Sequence, residues 1–210
     1  MKIKICGVTT QADAVAAAEE GADFIGLIFA RSPRRVDVAT AKEILRRLPR
    51  TCEAVGVFQD QPLAEVKSIL KETGLSSAQL HGSESPDFAT SLGVNIFKTF
   101  TSFTDGSLDT LRKFDVFAFL LDVPKGDRER ARIDLDWAAV AKKYGRVMAS
   151  GRLTPESAHE VVRRLRPWAI DVCSFTEIVP GRKDRVKVRA FIQACKLAHH
   201  DTERIKVRVR

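Results

Sequence analysis

The sequence predicts an α/β chain closed into a (β/α)8 barrel, on three observations. Short apolar runs alternate with amphipathic stretches along the whole length, and the spacing is even at about 25 residues per unit. Several runs, FIGLIF and VFAFLL above all, are continuously apolar, as parallel strands covered on both faces are. No Gly-x-Gly-x-x-Gly follows the first run, which argues against an open dinucleotide-binding sheet.

Taken in order, the first strand is KIKIC (2–6), followed by a helix over 12–20 that Thr9 or Thr10 caps and Gly21 closes. DFIGLIF (23–29) is the second strand. Ala41, Ile44, Leu45 and Leu48 then stand at i, i+3, i+4, i+7, one face of a helix. EAVGVF (53–58) leads to a helix with Pro62 in its first turn and Gly74 at its end. SAQLH (77–81), NIFKTF (95–100) and VFAFLLD (116–122) are strands four to six, and Gly145 is read as the glycine that closes the next helix. RVMAS (146–150) precedes a helix opened by Thr154-Pro155-Glu156, with Ala158, Val161, Val162 and Leu165 on its apolar face. AIDVCS (169–174) is the eighth strand, and Val188, Phe191, Ile192 and Cys195 mark the eighth helix. The domain is expected to span 1–198. Residues 199–210 read as a basic tail, whose alternating stretch 204–210 is a loose end or an added strand.

Composition narrows the class. Of the 210 residues 44% are hydrophobic and 30% charged, which excludes a disordered or disulfide-stapled chain, and about 70% of the unfolded surface of such a chain is buried on folding. No apolar run reaches the roughly 18 residues of a membrane span, and no secretory h-region opens the sequence. Cys6, Cys52, Cys173 and Cys195 are far apart, with no Cys-x-x-Cys spacing, so they read as reduced thiols of a cytoplasmic protein rather than zinc ligands. A net charge of +8 favours an anionic ligand. Most basic clusters, such as 163–166 and 182–189, are read as solvated helix faces, and the aromatics sit in apolar runs, which argues against nucleic acid.

In a barrel of this kind the chemistry lies at the C-terminal strand ends. Those ends carry Cys6-Gly7, Arg31-Ser32-Pro33-Arg34, Phe58-Gln59-Asp60, His81-Gly82, Lys98 within the fifth strand, Asp122, Ser150-Gly151-Arg152 and Cys173-Ser174. A thiol opposite a carboxyl suits proton transfer in which one group takes a proton from carbon and the other gives one to oxygen, without a metal. Cys6 needs nearby positive charge to be a base at neutral pH. The bland alternatives are that Cys6 is a small buried hydrophobe and Asp122 a helix cap.

At these residues the chain resembles phosphoribosylanthranilate isomerases of tryptophan biosynthesis. The opening Lys4-Ile5-Cys6-Gly7-Val8-Thr9 is similar to their KICG[IL]T, and GADFIGLIF, Ser32-Pro33-Arg34, VGVF, Gln79-Leu80-His81-Gly82, Lys98, Leu120-Leu121-Asp122, Asp136-Trp137, Ile170-Asp171-Val172 and Pro180-Gly181-Arg182-Lys183-Asp184 follow in register. The resemblance implies a cofactor-free Amadori rearrangement of a phosphosugar, N-(5'-phosphoribosyl)anthranilate, by a monomer or homodimer. Cys6 is then the general base at C2' and Asp122 the general acid at the furanose oxygen. Arg34 pairs with the anthranilate carboxylate through two parallel hydrogen bonds, His81 and Lys98 line the substrate site, and Gly151, Arg152 and Ser174 take the phosphate. His81 reads equally as a structural histidine.

Three departures from the family pattern bear on that expectation. Arg152 stands where Ser-Gly-Gly-Leu has its second glycine, Cys173-Ser174-Phe175-Thr176-Glu177 replaces Ser-Ser-Gly-Val-Glu, and Glu129-Arg130-Ala131-Arg132 replaces a glycine-rich loop. Two alternatives therefore stay open: a different sugar phosphate as substrate, or an anion-binding module with weakened catalysis.

Overall fold

The computed structural model describes residues 1–123 and 133–208, with side chains through residue 204. Eight parallel strands close into a barrel in sequence order: β1 (Lys2–Cys6), β2 (Phe24–Ile28), β3 (Glu53–Phe58), β4 (Ser77–Leu80), β5 (Asn95–Phe100), β6 (Ala118–Leu121), β7 (Val147–Ala149) and β8 (Ala169–Val172). The helices between them are α1 (Gln11–Glu20), α2 (Val38–Arg47), α3 (Leu63–Thr73), α4 (Pro86–Ser91), α5 (Asp105–Leu111), α6 (Leu135–Ala141) and α7 (Pro155–Leu165). After β8 come a one-turn 3-10 helix, Ser174–Thr176, a hairpin of β9 (Glu177–Val179) and β10 (Arg182–Lys183), and α8 (Arg185–Arg208).

Local chemistry explains the element boundaries. The Thr10 hydroxyl, not that of Thr9, accepts from Asp13 N at 3.1 Å and starts α1, while the Thr9 hydroxyl donates to the Gly181 carbonyl at 2.6 Å. Gly21 and Gly74 end α1 and α3 in the left-handed region, at φ 101° and 74°. Gly145 does not close α6, whose last turn passes into a right-handed Lys142. It lies beyond the helix, where a Cβ would stand 2.9 Å from a Phe119 ring carbon, so its role is close approach to the barrel wall. The apolar run of helix α8 continues past the expected boundary: Ala198 and Thr202 are buried, the Thr202 hydroxyl bonds the His199 carbonyl, and helix persists through Arg208 instead of giving a tail or strand at 199–208.

Alternation along each strand divides the core. Ile3, Ile5, Ile25, Leu27, Leu80 and Leu121 belong to the large cluster between barrel and helices, each such side chain contributing about 1.5–3 kcal/mol when buried. The opposite set, Phe24, Val55, Phe97, Ala118, Leu120, Met148 and Ala169, fills the barrel interior. Phe24, Phe97, Phe117 and Trp168 stack and tilt against one another at its lower end, with centroids 5.2–6.3 Å apart. That floor leaves the upper layer to carry polar groups.

Candidate active site

Beside the aromatic floor, where Lys4 pairs in register with Phe24, the interior turns ionic. Lys4 on β1 and Asp171 on β8 are register partners, and Lys4 Nζ meets Asp171 Oδ1 at 2.9 Å with both side chains buried. Burial opposes the Lys4 charge, but Asp171 and Cys6 outweigh it and hold the ammonium above its ordinary range. The Ser150 hydroxyl bonds the other Asp171 oxygen at 3.2 Å.

One more step along β1 brings Cys6 to the mouth. Hydrogen bonding from the Cys173 thiol lowers its pKa, burial raises it, and the Lys4 ammonium lowers it again, leaving Cys6 at about 7. Room for the sulfur comes from Gly26, its partner on β2, where a Cβ would stand 2.5 Å from Cys6 Sγ and 3.1 Å from Cys6 Cα. The sequence reading missed Gly26; the signal for it is a lone glycine inside a strongly β-forming run. Gly26→Ala is expected to displace the sulfur by enough to reduce kcat/KM by about 10²-fold at a stability cost of about 1–3 kcal/mol, read by steady-state kinetics and urea unfolding. Unaltered turnover in a folded variant contradicts that role.

Asp122 follows β6 on the far side of the same cavity. Its Oδ1 accepts from Val123 N at 2.8 Å and its Oδ2 lies 3.8 Å from His81 Nε2. His81 Nδ1 lies 3.1 Å from the Gln79 amide nitrogen, and with that nitrogen donating, the imidazole proton sits on Nε2, toward Asp122. Cys6, Asp122, His81, Arg34, Arg152 and Ser174 all line one cavity of about 280 Å³. The thiol and the carboxyl thus share a single space, near the small end of ligand pockets.

Arg34 reaches this cavity with its side-on edge already taken. Nε and Nη2 donate to the two oxygens of Glu177 at 2.8 and 2.7 Å, and the Gly181 N–H and Lys183 Nζ add bonds at 3.1 and 3.3 Å. Burial pushes the Glu177 carboxyl up, but the bonds from Arg34 and Gly181 prevail and hold it below the usual range. Gly7, at φ 73°, permits the packing: a Cβ there would lie 2.7 Å from Arg34 Cδ. Glu177 was not singled out from the sequence, although a carboxylate beside Arg182 and Lys183 is the available hint.

Lys98 is a correction. Phe97 fills the barrel and Thr99 meets Gln79 inside it, so Lys98, one residue between them, points outward. Its Nζ donates to the Gly82 carbonyl at 2.6 Å and to Glu84 Oε2 at 2.8 Å, a buried ion pair that ties the loop after β4 to β5 and does not line the cavity. Gly151, at φ 102°, packs against Val123 and borders a neighbouring hollow with Leu135 and Arg152 rather than the central cavity. Residues 129–132, the replaced glycine-rich loop, lie outside the described residues.

Arg152 adopts φ 52°, the left-handed region that suits glycine. Arg152→Gly removes about 1–2 kcal/mol of backbone strain, offset by about 0.5–1 kcal/mol of added freedom in the unfolded chain. The expected result is near-unchanged stability with KM for a phosphate-bearing substrate raised about tenfold, the worth of one charged hydrogen bond. An unchanged KM removes Arg152 from the phosphate site.

Known proteins place this arrangement. Residues 3–194 match the sequence model of the family described as N-(5'phosphoribosyl)anthranilate (PRA) isomerase. An N-(5'-phosphoribosyl)anthranilate isomerase of Pelobacter propionicus is 35% identical over 97% of this chain and all of its own length. One from Geobacter sp. strain M21 is 39% identical over 93% of this chain and 98% of its own. Among solved structures, phosphoribosyl anthranilate isomerase from Thermus thermophilus superposes with TM-score 0.84 at 34% identity, covering 94% of this chain and 99% of the other. A phosphoribosyl anthranilate isomerase in complex with reduced 1-(o-carboxyphenylamino)-1-deoxyribulose 5-phosphate gives TM-score 0.83 at 28% identity, over 93% and 98% of the two chains. With a profile matched over nearly its whole length and relatives covered end to end, the chain belongs to the N-(5'-phosphoribosyl)anthranilate isomerase family.

Proposed function

We infer that the protein isomerises N-(5'-phosphoribosyl)anthranilate to 1-(o-carboxyphenylamino)-1-deoxyribulose 5-phosphate. The observation that carries this reading is a thiol whose pKa is drawn down to about 7, in one cavity with a carboxyl. Asp122 gives a proton to the furanose oxygen as the C1'–O bond breaks, which leaves a protonated imine at C1'. The Cys6 thiolate takes the C2' proton, and the resulting enolamine becomes the ketone as C1' gains a proton and the C2' hydroxyl loses one, so substrate and product have the same atoms. His81 steadies the Asp122 carboxyl from 3.8 Å.

Glu177 orients Arg34 by its side-on edge, and the Nη1–Nη2 edge then takes the anthranilate carboxylate, end-on. The phosphate falls to Arg152 and to Ser174, where charge replaces part of what a glycine backbone offers. No helix among the described residues is long and apolar enough to cross a membrane. We place the protein in the cytoplasm, as a monomer or homodimer, where its four free cysteines stay reduced.

The test is direct. Purified protein is given the phosphoribosylated anthranilate and product is followed with no metal or nucleotide added. Conversion that survives a chelator supports the reading. Failure to convert this substrate, with turnover of another aminoaldose phosphate, transfers the site to that substrate; failure on both leaves an anion-binding module.

A further inference from the structure

Cys173 is the first residue after β8 and Cys6 the last of β1. Those strands pair in register, Lys4 with Asp171 and Ile5 with Val172, so the next pair in line is Cys6 with Cys173, on the interior face that Lys4 and Asp171 share. Neighbouring strands run about 4.8 Å apart, inside the roughly 4.4–6.8 Å between the Cα atoms of a disulfide. Cys173 Sγ lies against β1: a Cβ on Gly7 would be 2.9 Å from it. Both thiols line the open cavity.

The surroundings favour the thiolate at one sulfur only. Lys4 and Lys183 draw Cys6 down, while the neighbouring Cys6 sulfur and burial push Cys173 up against the pull of Lys183 and Arg34, so Cys6 is the nucleophile and Cys173 the protonated partner. Cys52 and Cys195, by contrast, are pushed to about 12 by burial, which leaves them inert. A reactive sulfur next to a second thiol, in a cavity that admits a small molecule, is the arrangement of a resolving pair.

We propose that Cys6 and Cys173 are a site of reversible oxidation by hydroperoxides, closing to a disulfide across the barrel mouth. The Cys6 thiolate attacks one oxygen of the peroxide and the O–O bond breaks, giving the sulfenic acid and, after protonation, water. The Cys173 thiol then attacks the Cys6 sulfur, an S–S bond forms and a second water leaves. In sum two thiols lose two hydrogens and one hydrogen peroxide becomes two waters. Closure removes the Cys6 base; this consequence for turnover rests on the proposed isomerase reading, while the disulfide itself does not.

The full chain, reduced and freed of reductant, is exposed to hydrogen peroxide. Remaining thiols are alkylated, and the digest is mapped by mass spectrometry beside an activity assay. The expected result is a peptide joining Cys6 to Cys173, two alkylated cysteines, turnover reduced by about 10²-fold, and recovery in dithiothreitol. Cys173→Ser keeps a hydroxyl donor beside Cys6 but cannot close the bond, so its Cys6 is trapped by dimedone and advances to sulfinic acid, and dithiothreitol does not restore its own reduced rate. Cys173 recovered as a free thiol after peroxide has modified Cys6 overturns the proposal, as does full recovery of the Cys173→Ser variant. A joined peptide with undiminished turnover upholds the pair and overturns Cys6 as the base.

Discussion

Replacing Cys6 by Ser, or Asp122 by Asn, lowers kcat by about 10²–10⁴-fold with little loss of stability, because each change removes one proton carrier and preserves its volume. A serine hydroxyl is far too weak an acid to be ionised beside Lys4, and an asparagine amide can donate a hydrogen bond but is far too weak an acid to give its proton to a ring oxygen. The pH profile separates the two roles. With Cys6 at about 7, the competent thiolate is the minority form below that pH, so kcat/KM falls on the acidic side as pH drops through 7. Steady-state kinetics from pH 5.5 to 9 with wild type and both variants checks this. A Cys6→Ser enzyme that keeps wild-type turnover removes the thiol from the mechanism, and an acidic limb that persists unchanged in that variant belongs to another group.

Lys4→Met has the largest expected effect on the fold. It leaves the Asp171 carboxylate inside the barrel with the Ser150 hydroxyl as its remaining hydrogen-bond donor, and breaking a buried pair in this way costs about 3–5 kcal/mol. The pair itself is not the source of that stability. Removing both charges with Lys4→Met and Asp171→Leu avoids a stranded ion, so the double variant should recover most of the loss in a urea melt. A second readout is electrostatic: Lys4 is a cation that favours the Cys6 thiolate, so the acidic limb of the Lys4→Met profile moves to higher pH. A limb that stays at about 7 denies Lys4 any part in activating the thiol, whatever happens to stability.

Much of the architecture was legible because it depends on near neighbours in sequence. The eight apolar runs became the eight strands, trimmed by a residue or two at ends such as 116–117 and 173–174, where the chain turns out of the sheet. Short α4 and α5 were not picked out, since six or seven residues hold too few turns to show a period. The site was legible in part. Cys6, Arg34, His81, Asp122, Arg152 and Ser174 do line one cavity, while Lys98 and Gly151 do not. The miss at Lys98 was avoidable: with Phe97 and Thr99 facing in, a period of two sends Lys98 out.

What the sequence alone determined is the order of strands and helices, the glycine ends at Gly21 and Gly74, and the set of reactive groups at the strand ends. Periodicity, capping and left-handed turns all act within a few residues, so they are written locally. Only the closed barrel decided that Asp171 neutralises Lys4 from 167 positions away, that Glu177 occupies one edge of Arg34 from 143 away, that Gly26 yields space to a sulfur, and that Cys173 stands beside Cys6. Those relations depend on the register with which the last strand meets the first. Register is set by how the whole core packs, and a shift of one residue along β8 turns every one of its side chains to the opposite face.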